Sequence, residues 1–381
     1  MFANLKTLLC ISGWALLIAG NAYAGPEAVQ TFYLPLPEAD IQRALVELQP
    51  GRTIGQSISS VTSITTTRDN TIFYYDHWEN GYELDIANPV NIYSASNPSG
   101  TQIWGDNDPS NGIPPGFATD IVNADNVIAL VNDVSIPRNP STILFDARDK
   151  IGSTKAVAMT RAEWANNPGT VLAGAVEIYS VEYQGTSYKF PIGEDLSLAS
   201  DRMFEYVAAF VMASEDNTTV TFDPDGPGGT AAIVRVLNQG ENFYRSGVQT
   251  GGTVTASAPV QVHLITGNLN TNGGRLEARW FTQIPYDDWS DTYYNPVGSS
   301  SASQPTRVFL YNPNASAIDI DYETFVSAGT INIAANTVVE YTMPSSTGAV
   351  FISQGEEPFF GVVNVAAGTS NGGSSSVDND T

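Results

Sequence analysis

Cysteine is almost absent from this chain: one, Cys10, in 381 residues. That excludes a disulfide framework, Cys-ligated zinc and thiol chemistry in whatever remains after the first residues. Basic residues are also scarce, 16 against 40 acidic, for a net charge of −24. Nucleic acid and anionic membrane surfaces are poor partners for such a chain. Beyond the N-terminus no apolar run approaches the roughly 20 residues of a membrane span. Gly-x-x-x-x-Gly-Lys, His-Glu-x-x-His and Ser-x-x-Lys are all missing, so no familiar phosphate loop or zinc protease motif is present.

What is present begins with an export signal. Lys6 precedes an apolar run from Leu8 to Gly20, and Ala22-Tyr23-Ala24 has the small-x-small form of a cleavage site. Residues 1–24 are predicted to be a signal peptide cleaved after Ala24, which would take Cys10 with it. The expected location is secreted or cell surface, in a bacterial setting. The acidic surplus fits solubility outside the cell, or divalent-cation binding by clustered carboxylates.

One helix is legible. Pro37-Glu38 opens it, Ile41, Ala44, Leu45 and Leu48 line one face, and Pro50-Gly51 stops it. Elsewhere short β runs alternate with Gly, Pro, Asn and Asp clusters, with 33 Gly and 22 Pro in all. The fold class is therefore all-β: two or three tandem β-sandwich-like modules with one short N-terminal helix.

Internal repeats place the modules. Asp69-Asn70-Thr71 to Asp76 aligns without a gap on Asp216-Asn217-Thr218 to Asp223. An aromatic-x-x-Pro element recurs at Phe32 to Pro35, Tyr188 to Pro191 and Tyr293 to Pro296. Gly252 to Val262 reads as a strand, a turn at Ala256-Ser257-Ala258-Pro259 and a returning strand. The predicted organisation is module one at 25–187 with a long insertion, module two at 188–292, module three at 293–367, and a flexible Gly/Ser/Asp tail at 368–381.

These elements resemble the N-terminal region of the IgG Fc-binding protein family, including its bacterial exported members. The residues carrying the resemblance are Tyr188-x-x-Pro191-Ile192-Gly193, the Asp216-Asn217-Thr218 strand, Gly252-x-Val254-x-Ala256-Ser257-x-Pro259-Val260-x-Val262, and Pro285 to Pro296 with Trp289 and Tyr293. The resemblance implies an extracellular β-rich binding or adhesion module. It does not imply that immunoglobulin is the ligand.

The densest polar cluster runs from Tyr74 to Asp85. By strand alternation Tyr75, His77 and Glu79 share one face, and Tyr74, Asp76 and Trp78 the other. Aromatics beside carboxylates suit a ligand site, so Asp76, His77, Trp78, Glu79, Tyr82 and Glu83 are the expected binding residues. A plainer reading is a β-hairpin turning at Glu79-Asn80-Gly81. A second acidic stretch places Asp106, Asp108 and Ser110 at alternate positions, as in a calcium loop. Asp120 would complete it from outside, although Asn111 and Phe117 break the pattern. Calcium is the one candidate cofactor.

His263 reads as a structural histidine. Arg161-Ala162-Glu163-Trp164 and Arg275 to Trp280 read as ion pairs with the cation over the ring. The expected function is an exported, non-catalytic binding or adhesion module for an extracellular protein or glycan, its site in unit one. The alternatives are a carbohydrate-active enzyme using two of Asp76, Glu79 and Glu83, and a structural spacer without a ligand.

Overall fold

The computed structural model describes residues 29–196, 203–269, 278–296, 298–302 and 305–365. The expected signal peptide and C-terminal tail lie outside the described residues. Among these residues the chain is all-β with one α-helix, Glu38–Leu48. Ile41, Ala44, Leu45 and Leu48 are fully buried along one face, as the spacing predicts. The Gln49 N–H still reaches the Leu45 carbonyl at 3.0 Å, and Pro50, which has no N–H to give, ends the helix.

Residues 30–177 form two antiparallel four-stranded sheets. One has the spatial order Gln30–Tyr33, Lys150–Ser153, Phe73–Asp76 and Gln102–Trp104. The other runs Val127–Ser135, Ser57–Thr66, Val157–Ala165 and Ala173–Glu177. Strict alternation of buried and half-buried residues along Ser57–Thr66 turns Ile58 and Ile64 inward. Between the sheets lie Phe73, Tyr75, Trp104, Ile128, Leu130 and Ile151.

Residues 185–282 make a seven-stranded sheet whose spine is the fifteen-residue strand Thr253–Gly267. Its first half pairs with Gly185–Lys189 and Thr218–Asp223, its second with Tyr206–Ala213 and Ala278–Thr282. The turn expected at Ala256 to Pro259 is therefore absent. That segment is an irregularity inside one long strand, where the register shifts between Thr255 and Val260. Such a bulge is where a strand tolerates a proline. Residues 292–365 form two further sheets, of four and three strands, around Leu310, Ile320, Phe351 and Phe359.

The units are not independent. Tyr206–Ala213 is buried along its whole length. Val207, Ala209 and Val211 face the core of the seven-stranded sheet, while Tyr206, Ala208 and Phe210 face a second core. That second core contains the helix, Ile58 and Ala165 from the first unit, and Trp280. Phe309 and Val362 of the last unit enter the core of the middle one, with Phe204 and Phe309 edge to face at 5.0 Å.

The repeated Asp-Asn-Thr has a plain physical meaning. Asn70 and Asn217 are left-handed (φ 54° and 57°), a backbone that asparagine tolerates better than most residues. Thr71 and Thr218 donate their hydroxyls to the carbonyls three residues back, at 2.7 and 2.8 Å. Asp69 and Asp216 accept the amides of Ala124 and Gln239 across the turn. Asn336-Thr337 repeats the same left-handed Asn and the same threonine bond, to Ala334 at 2.9 Å, before Val338–Thr342. The sequence comparison missed this third turn because only two of its residues match.

Arg161 is the main tie between helix and sandwich. Its guanidinium is fully buried and contacts Glu38 at 2.5 Å, Glu163 at 2.6 Å and the Thr62 hydroxyl at 2.8 Å. Glu38 opens the helix and also accepts the Ala147 amide at 3.1 Å. Trp164 points to the opposite face of its strand, so the expected cation over its ring is replaced by a buried ion triad. Its counterpart at Arg275 to Glu277 lies outside the described residues. Removing the cation strands two buried carboxylates. Arg161→Ala is expected to cost about 3–5 kcal/mol in urea unfolding, and a loss below about 1 kcal/mol would show the triad to be dispensable.

Candidate functional site

The Tyr74 to Asp85 cluster does not form a hairpin. Phe73–Asp76 leads into a single 3₁₀ turn, Trp78–Asn80, and its strand partners are Gln102–Trp104 and Lys150–Ser153. Glu79-Asn80-Gly81 therefore turns the chain into a loop, residues 81–101. The alternation of the strand still sorts the side chains into two groups.

On the inner face the Tyr75 hydroxyl donates to Asp149 Oδ2 at 2.6 Å. The Asp146 amide reaches the same oxygen at 3.2 Å, and the Trp78 amide reaches Oδ1 at 3.1 Å. His77 Nδ1 lies 2.9 Å from the Leu144 carbonyl, which can only accept, so the proton sits on Nδ1. The same nitrogen is 3.4 Å from Asp149 Oδ2. Glu79 Oε1 accepts from Arg138 and from the Leu144 amide, and Arg138 also grips Asp146. Asp146 Oδ1 takes the Trp78 indole N–H at 3.1 Å. Two buried atoms here have no partner, His77 Nε2 and Glu79 Oε2.

Three acids thus face one guanidinium and one imidazole in a site screened from water. Burial pushes Glu79 up to about 7, helped by the nearby Asp149 and Asp146. Burial likewise raises Asp149 to about 6, although His77 opposes the shift. For His77 burial acts downward, but Asp149 and Glu79 outweigh it and the net direction is up. The cluster holds protons near neutrality.

On the other face Asp76 accepts the Glu83 amide at 2.8 Å and the Thr101 hydroxyl at 3.0 Å. The Glu83 carboxylate accepts the amides of Asn91 at 2.7 Å and Val90 at 3.1 Å, and Lys150 donates to the Glu83 carbonyl at 2.8 Å. These bonds pin both ends and the middle of the 81–101 loop. Yet Leu84 and Val90 beside them are 104 % and 92 % exposed. Leu84 borders a shallow groove of about 360 Å³ with Val29, Tyr33, Ile86 and Lys150.

The ring residues are engaged within the protein. Trp78 lies under the guanidiniums of Arg148 and Arg138, at 4.1 and 5.6 Å. Tyr82 donates to the Arg148 carbonyl at 2.8 Å and sets its ring edge-on to Tyr33. Gly240 of the middle unit, at φ +72°, lets that hydroxyl come close, because a Cβ there would sit 1.8 Å from it. Arg148 in turn donates to the Gly240 carbonyl at 3.1 Å.

Of the six expected binding residues, the structure joins His77 and Glu79 on one face, Asp76 and Glu83 on the other, and packs Trp78 and Tyr82 between neighbours. Sequence reasoning missed Arg138, Asp146 and Asp149. The usable signal was the charged run Asp146-Ala147-Arg148-Asp149-Lys150, the densest mixture of signs in the chain.

His77, Glu79 and Asp149 are the one group of three metal-type side chains within 4.8 Å among the described residues. Both Asp149 oxygens and Glu79 Oε1 already accept hydrogen bonds, so the set as it stands suits protons better than a metal ion. The expected calcium residues do meet in one loop. Asp106 accepts from the Asp108 amide and the Asn111 side chain, Asp108 from the Ser110 amide and hydroxyl, and Asp120 from the amides of Gly105 and Asp108. Their carboxylates face the loop's own donors. Burial, with Asp106 alongside, raises Asp120. His263 is buried with Nε2 3.4 Å from Gln261, and burial lowers it to about 3, so it stays neutral.

No family model, curated protein or solved structure matches the chain.

The Glu79 shift sets a pH dependence. Its folded value, about 7, lies above its ordinary 4.5, so the folded state holds a proton that the unfolded chain releases. The corresponding stability is full below about 4.5 and is lost as pH rises through about 7. Asp149 acts in the same direction. The melting temperature should fall from pH 5 to pH 8, and Glu79→Gln should make that fall shallower. An equal or steeper fall in the variant would contradict the assignment.

Proposed function

We propose that the protein is an exported, non-catalytic binding module that uses the 81–101 loop to grip the surface of another extracellular protein. The observation that carries this reading is a buried charge network holding aliphatic side chains in water. Asp76, Glu83 and Lys150 fix the loop from beneath, and Leu84 and Val90 project from it with no contact to repay their exposure. Exposed apolar groups on a fixed frame suit protein contact, where pre-ordering the loop removes part of the cost of association. Export rests on the first 24 residues, and the resemblance to the IgG Fc-binding family supports an extracellular binding role.

Two features favour a protein ligand over a glycan. A sugar site needs open aromatic faces, whereas the Trp78 ring already carries two guanidiniums and Tyr82 packs edge-on to Tyr33. A glycoside hydrolase needs two carboxylates facing a cleft. Asp76, Glu79 and Glu83 instead bond the protein's own amides, hydroxyls and guanidinium.

The test is an array of extracellular proteins and glycans probed with the wild type and with Leu84→Ser/Val90→Ser. Reproducible protein ligands are expected, with binding at least about tenfold weaker in the double variant, a loss of about 1.4 kcal/mol, and an unchanged melting temperature. Glycan-only binding, or protein binding indifferent to the double variant, would contradict the reading.

A further inference from the structure

The two edges of the second sheet of the first unit are treated differently. The Ala173–Glu177 edge is covered by Ala278–Thr282 of the middle unit. Gly174 lies against the Trp280 ring, where a Cβ would come within 2.1 Å, and the Thr282 hydroxyl bonds the Glu177 carbonyl at 2.8 Å. The other edge, Val127–Ser135, pairs only with Ser57–Thr66 among the described residues.

The phase of that pairing is fixed at both ends. Thr66 donates to the Asn126 carbonyl at 3.0 Å, and the Ile136 amide donates to Gln56 at 2.7 Å. In an antiparallel ladder alternate residues turn both backbone groups to the same neighbour. The even-numbered residues from 126 to 136 therefore bond inward. Val127, Ala129, Val131, Asp133 and Ser135 direct their amides and carbonyls away from the sheet, and among the described residues no other backbone segment is bonded to them. All five side chains are exposed, Val127 at 53 % and Val131 at 68 %.

Edges of this length are normally guarded by proline, lysine, a bulge or a covering element. Val-Ile-Ala-Leu-Val-Asn-Asp-Val-Ser has no proline, no lysine and no register shift. The outer face beside it is also nearly uncharged. Ser59, Val61, Ser63 and Thr65 lie next in register, followed by Trp164, Ala162, Thr160 and Ala158. On a chain of net charge −24 this is a place where another equally acidic molecule can approach.

We propose that this edge pairs with the same edge of a second copy, antiparallel about a twofold axis at Val131. The register is self-complementary. Val131 opposes Val131, Ala129 opposes Asp133, and Val127 opposes Ser135. The single charge, Asp133, never meets its own copy, so no like-charged pair forms across the strands. The outward residues all fall in hydrogen-bonded positions, which gives about ten interstrand hydrogen bonds and joins two four-stranded sheets into one. The interface is isologous.

Sedimentation equilibrium from about 1 to about 200 µM tests this. A reversible dimer is expected, tightened by added salt because screening weakens the repulsion between acidic copies. Val131→Lys places like charges face to face and should raise the dissociation constant at least about tenfold. Ala129→Lys places a lysine opposite Asp133 and should preserve or tighten the dimer. Both sites are exposed, so unchanged thermal melts confirm that the variants fold. A monomer at every concentration would overturn the proposal. So would a dimer that Val131→Lys leaves intact, or one weakened equally by both substitutions.

Discussion

An excess of buried carboxylate beneath the first sandwich is the constraint on which the rest of the structure depends. Glu38, Glu163, Glu79, Asp146 and Asp149 are all out of reach of water, while Arg161 and Arg138 are the cations among them and His77 is the one imidazole. Such groups are tolerated only when nearly every oxygen has a donor, so the surrounding backbone must supply amides at fixed positions. The segment 144–149 does this with the amides of Leu144, Asp146 and Ala147. The strand Phe73–Asp76 and the helix are thereby locked to it, and the loop that follows the strand inherits a fixed starting point.

The same bonding reaches across unit boundaries. Arg148 bridges Trp78 to Gly240, Tyr33 bonds Gln239 and Gln261, and Asp40 and Glu47 of the helix bond Asn242 and Tyr244. With the fully buried strand Tyr206–Ala213 serving two cores, the first two units form a continuous body rather than beads on a linker. That continuity suits an 81–101 loop built to present apolar side chains without yielding.

Much of the fold was legible. Helix periodicity, the short β runs and the Asp-Asn-Thr turns follow from local rules: one face to bury, one period to keep, one left-handed residue per turn. Two readings failed for physical reasons. Asn80-Gly81 is a strong hairpin signal locally, but Phe73–Asp76 has both ladder partners supplied from distant parts of the chain, so no return strand is needed. Ala256 to Pro259 has turn composition, yet Gly185–Lys189 pairs with the chain on both sides of it, and a bulge absorbs the proline. The candidate site was half legible. Strand alternation separated His77 from Asp76 correctly, but which acids would be buried depended on residues 138–149, distant in sequence, whose mixed charges carry no periodicity.

Buried charge holds the 81–101 loop rigid although its surface is apolar and wet. Native-state hydrogen exchange on the amides of Glu83, Val90 and Asn91 tests it most directly, because each bonds a carboxylate rather than another backbone group. Exchange as slow as that of neighbouring strand amides such as Tyr74 and Tyr75 is expected. Exchange at the rate of an unstructured peptide would contradict it.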